Sequence, residues 1–142
     1  MENTQQKSNS VIDALKRLER AGSENSRATQ KLRESATLVG NKISYEMGLP
    51  RGIELPRGYT ILGVGEYNQP YLHQSVGAGE WDGEPQFANV EEGASRDVLL
   101  RFAADIAEGW LDEVAAFLEE RVRESDNAVQ VLANGAAQLA PA

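Results

Sequence analysis

Near each end of the chain, apolar or small residues recur in alternating steps of four and three. In the first half they fall at Val11, Leu15, Leu18, Gly22, Asn25, Thr29, Leu32, Ala36, Val39 and Ile43. In the second they fall at Leu111, Ala115, Leu118, Val122, Ser125, Val129, Leu132, Ala136 and Leu139. Such a repeat lays one stripe along an α-helix with the period of a coiled-coil seam. The chain must therefore supply two long helices, each with an apolar face to cover.

The first helix is expected over residues 11–48, capped by Ser8 or Ser10, with residues 1–10 frayed. Gly22, Asn25 and Thr29 are weak seam residues, so the helix is either continuous or hinged near Gly22. Gly48 and Pro50 mark its end. The connector that follows contains Leu-Pro-Arg-Gly twice, at residues 49–52 and 55–58, and each copy reads as a turn.

Residues 59–67 and 70–76 read as strands joined by a turn at 68–70, with a short third strand over 86–90. The product is a small antiparallel meander. Ser95 then caps the second helix, with Glu91, Glu92 and Asp97 near its positive end. Val98, Phe102, Ile106, Trp110 and Val114 recur at every fourth residue, a wide apolar face that should pack on the sheet. A helix running from there to Leu139 would be about 60 Å long, which exceeds a small domain. Either it breaks near residues 125–127 or its tail packs on another chain. The fold class is α+β: helix, meander, helix, with an α+β core at 59–124 and a helical tail at 125–142.

At 142 residues this is one domain, and with only 6% aromatic residues its core is thin. The net charge is −8 and is unevenly placed, +3 over residues 1–58 and −11 over residues 59–142. Binding to phosphate backbones draws on clustered Lys and Arg, so no nucleic-acid partner is expected. There is no cysteine, hence no thiolate chemistry. The first ten residues lack the apolar core of a signal peptide, and no stretch is apolar enough for a membrane span. The expected location is cytoplasmic, with no membrane partner.

Chemistry-bearing motifs are few. Gly63-Val64-Gly65 begins like a dinucleotide fingerprint but lacks the third glycine and the helix that would follow. The two glycines read instead as a flat patch on the face of Tyr59, Ile61 and Tyr67, open to a close helix. His73 is the single histidine and has no cysteine to join it, so neither a triad nor a zinc site is expected. Asp105, Glu108 and Asp112 share a helix face and read as solvated, as do the pairs Asp97–Arg101 and Glu119–Arg123. Trp81, in an acidic glycine loop, either folds back on the sheet or anchors a partner.

No catalytic residue, cofactor or metal is expected. The reading is a non-enzymatic homo-oligomeric structural or protein-interaction protein assembled through its helices, its partner-binding residues Trp81, Val129, Leu132 and Leu139. Two alternatives remain. One is a small acidic inhibitor, encoded by a phage or mobile element, that blocks a basic nucleic-acid-binding surface on a host machine. The other is a small-ligand binder with a pocket at a subunit seam near Tyr59, Tyr67, Tyr71 and His73. From the charge distribution we predict no shift of duplex DNA in a gel at micromolar protein and physiological salt; a retarded band would contradict it.

Overall fold

The computed structural model describes residues 4–78 and 83–139. Helix α1 (Thr4–Asn41) continues through a wide π turn (Lys42–Glu46). Then come β1 (Glu54–Leu55), a tight turn (Pro56–Gly58), β2 (Tyr59–Val64), β3 (Gln69–Ala78), β4 (Pro85–Asn89), α2 (Arg96–Ala107) and α3 (Trp110–Leu139). The sheet is an antiparallel meander in the order β1-β2-β3-β4. The α+β class and the helix–meander–helix order are as expected.

Several boundaries differ: α1 passes into the π turn at Lys42, β2 ends at Val64 and not at residue 67, and the connector read as turns holds the short strand β1. Helix α1 begins at Thr4, well before Val11, because Gln5, Gln6 and Lys7 are good helix formers and extend it past the serines. It also runs unbroken through Gly22: a single glycine costs a helix only about 1 kcal/mol relative to alanine. The second long helix does break, but at Gly109 (φ 97°), and it is continuous through residues 125–127. In the hairpin, Gly65 and Asn68 both take positive φ, and the Asn68 amide donates to the Gly65 carbonyl. The turn therefore falls at 65–68, and Pro70 lies inside β3.

Strand alternation sorts the sheet residues into two faces. Tyr59 lies opposite Gln74 and Ile61 opposite Leu72 on the helix-covered face, while Thr60 lies opposite His73 and Leu62 opposite Tyr71 on the other. Against the first face pack Ile43 from the π turn, Leu99 and Phe102 from α2, and Trp110 from α3, all buried. Tyr59, Phe102 and Trp110 form one aromatic cluster, with ring centroids 4.5 Å apart for Tyr59–Trp110 and 6.0 Å for Phe102–Trp110. The apolar row of the second helix thus meets the sheet as its spacing implied. The break at Gly109 re-aims Trp110 so that its indole N–H donates to the Pro56 carbonyl at 2.8 Å.

Truncating Phe102 or Trp110 to alanine is expected to cost about 3–5 kcal/mol. Denaturant unfolding of each variant checks this, and a loss under about 1 kcal/mol would misplace the core.

Candidate interaction surface

Two polar networks fix where the helices leave the core. At the base of α1, the buried Glu91 carboxylate accepts from the Ser44 hydroxyl and from the Leu72 N–H, each at 2.7 Å. The Thr37 hydroxyl donates to the Glu91 carbonyl at 2.8 Å. Gly40 is required here, because a Cβ on it would stand 2.6 Å from Glu91 Cγ. One residue after the meander, through its carboxylate and its carbonyl, thereby ties α1, the π turn and β3 together.

At the base of α3 the organising group is Arg57, held in a left-handed conformation (φ 64°) in the tight turn. Its guanidinium grips Glu113 through two bonds (2.6 and 3.1 Å) and also donates to Glu108 (2.6 Å) and Asp105 (3.1 Å). These carboxylates, Glu113 first, hold the Arg57 pKa above its ordinary value. Asp105 also accepts from the Tyr59 hydroxyl at 2.6 Å, and Gln74 donates to the same hydroxyl at 2.9 Å. Burial first, then the Asp105 contact, pushes the Tyr59 pKa up.

This network corrects several expectations. Asp105 is not solvated but buried against Arg57; Glu108 is exposed as expected yet also accepts from Arg57, and the exposed Asp112 lies beyond the break. Arg101 does not pair with Asp97: it donates to the Ser75 and Arg57 carbonyls and lies 3.8 Å from Asp105. Arg123 pairs with Glu120, not Glu119. No helix approaches Gly63; a Cβ there would collide with the Asn68 side chain, which folds over the turn. Among the described residues no group of histidine and carboxylate side chains is placed to hold a metal ion.

The four residues of the pocket reading do not converge. Tyr59 is buried on the helix-covered face, whereas Tyr71 and His73 lie on the opposite one and Tyr67 is exposed in the hairpin turn. His73 is itself buried, with Nδ1 2.9 Å from the Tyr71 carbonyl. The acidic reading also loses charge, since Asp105, Glu108 and Glu113 are committed to Arg57 and Glu91 points inward.

What remains open is the pair of helical arms. Every residue from 9 to 28 on α1 is exposed, and the helix first meets the core at Leu32. On α3 the last core contacts are Val114, Phe117 and Leu118, and every residue from 119 to 139 is exposed. Val129, Leu132 and Leu139 are 62%, 72% and 86% exposed; Val11, Leu15 and Leu18 are similarly bare. Helix α1 packs on α2 and β3, and α3 on α2 and the tight turn; α1 and α3 do not run side by side. Trp81 lies outside the described residues. Between the core ends of α1 and α2 runs an apolar groove of about 210 Å³, lined by Leu32, Ala36 and Val39 on one side and Leu99, Phe102 and Ile106 on the other. Sequence reasoning missed this groove, together with Arg57 and Glu91. The repeated Leu-Pro-Arg-Gly was the one pointer to Arg57.

No helix among the described residues is long and apolar enough to cross a membrane. No family model, curated protein or solved structure matches the chain.

Replacing Tyr59 by phenylalanine leaves Asp105 and Gln74 each short of a partner and is expected to cost about 1–3 kcal/mol. The fold favours the protonated phenol, so this stabilisation is intact below about pH 10 and is lost as the pH rises further. Denaturant midpoints across this range should show wild type and Tyr59→Phe converging in alkali; a constant gap would contradict the assignment.

Proposed function

We propose that this is a non-enzymatic protein that assembles with itself through its two helical arms and serves as a structural or interaction module. The observation that carries the reading is the uncovered apolar stripe on each arm. Most helical stability in proteins comes from packing of an apolar face, so bare arms of this kind draw theirs from a partner surface. Extended apolar exposure at regular spacing marks a surface meant for another protein. Burying a valine or leucine side chain is worth about 1.5–3 kcal/mol. Several such residues per arm therefore suffice against an association cost of about 4–15 kcal/mol.

The small core is built without the arms: among the described residues the fourteen buried apolar ones all lie between Ala36 and Val114. The ends of the chain are thus free to work in assembly. The stripes run most of the length of helices of about 57 and 45 Å.

Light scattering at about 50 μM should show a mass above the 15.5 kDa of one chain; a monomer would sink the proposal. Deleting residues 125–142 should leave the circular dichroism of a folded protein and a smaller assembly. An unfolded product would show that the tail serves the fold of its own chain, and an unchanged assembly that it is only a solvated end; both contradict the reading.

A further inference from the structure

We propose that the cleft between the first Leu-Pro-Arg-Gly turn and helix α3 binds a small oxyanion ligand, a carboxylate or a phosphate, between the guanidinium groups of Arg51 and Arg121. This does not depend on the self-association proposed above.

The two copies of the motif meet α3 at different points. The second copy delivers Arg57 to Glu113 near the start of the helix. The first copy is a turn in which the Ile53 N–H donates to the Pro50 carbonyl and Gly52 takes φ 86°. It shares a cleft with α3 farther along, at Phe117 and Arg121. Glu113, Phe117 and Arg121 follow one another in steps of four and so lie on one side of the helix. Where one arginine of the repeated motif meets carboxylates, the other meets a second arginine.

Two like charges on one cleft repel each other unless a counter-charge lies between them. Among the described residues the chain supplies none: neither Arg51 nor Arg121 forms an ion pair. Glu54 lines the same cleft and is exposed, but it is paired with neither arginine. The cleft therefore carries one more positive charge than negative, in a chain whose net charge is −8.

Both guanidinium groups are already held. Arg51 Nε donates to the Asn68 carbonyl in the β2–β3 turn at 2.9 Å, which leaves both terminal nitrogens free. The Arg121 guanidinium carbon lies over the Phe117 ring, 5.8 Å from its centroid. A side chain anchored in this way loses less freedom when it binds. The planar fork of a guanidinium matches two oxygens of a carboxylate or a phosphate.

The volume of the cleft is about 540 Å³, within the range of roughly 300–1,000 Å³ of small-molecule sites. Pro50 and Phe117 give it apolar walls beside the charged groups. The negative field of the whole chain opposes the approach of a polyanion. The ligand that fits is thus small, with few charges and an apolar body.

Thermal unfolding of the full-length chain in inorganic phosphate, in citrate and in sodium chloride at matched ionic strength tests this. The phosphate and citrate arms separate the two kinds of oxyanion. The rise in midpoint above that in chloride gives a dissociation constant for each, and such a rise is expected with at least one of them. Arg51→Gln and Arg121→Gln each remove one fork and are expected to weaken that binding about tenfold or more. Glu54→Gln removes a competing carboxylate and should tighten it. All three side chains belong to exposed residues, so the variants should fold. Arg17→Gln, on the bare part of α1, should behave as wild type. No rise above chloride would overturn the inference. So would an equal rise in wild type and both arginine variants, which is the general effect of excluded salts on burial.

Discussion

A guanidinium in a left-handed turn, gripped by carboxylates from both sides of a helix break, sets the direction in which about a fifth of this chain travels. Arg57 reaches Asp105 and Glu108 at the end of α2 and Glu113 at the start of α3, so it fixes the corner between them. Without that corner the second long helix would run straight on from the sheet. With it, Trp110 turns into the aromatic cluster and donates to the backbone of the same tight turn, and α3 leaves the core along a defined line. The Tyr59 hydroxyl, bridging Asp105 and Gln74, joins this clamp to the sheet face. The polar groups here are satisfied by one another, and among the described residues no buried side-chain nitrogen or oxygen is left without a partner.

Glu91 plays the corresponding part for α1. A carboxylate taken almost wholly out of water requires compensating donors. The Ser44 hydroxyl and the Leu72 N–H supply them, from the π turn and from β3. Gly40 makes the approach possible by having no side chain. The two networks thus hold the two arms at separate points of one small core, and each arm runs on well past the last residue that the core covers. The molecule stabilises its centre with aromatic packing and leaves its apolar stripes bare, which is the physical basis for reading it as a subunit.

The heptad spacing was legible because helix periodicity is a local property: side chains three and four apart share a face whatever surrounds them. The long helices, the meander between them, the Ser95 cap and the burial of Phe102 and Trp110 all follow from such local rules. The exposed valines and leucines of the tail were likewise visible as a seam without an obvious cover. The break at Gly109 was not legible, because one glycine in an otherwise helical stretch is tolerated as readily as Gly22 is. What separates the two is Arg57, about fifty residues upstream, whose charge holds both sides of one glycine and has no counterpart at the other.

The same physics divides the remaining features. Sequence alone determined the periodicities, the charge asymmetry between the two ends and the absence of thiol chemistry, since these depend only on which residues stand at which spacing. Tertiary structure alone decided that Asp105 is a buried anchor of Arg57 and not solvated surface. It also decided that Tyr59 and His73 lie on opposite faces, and that the two arms diverge instead of folding on each other. Each of these turns on a contact between residues far apart in the chain, where a hydrogen bond or a close approach, as of Glu91 to Gly40, outweighs the preference of either residue taken by itself.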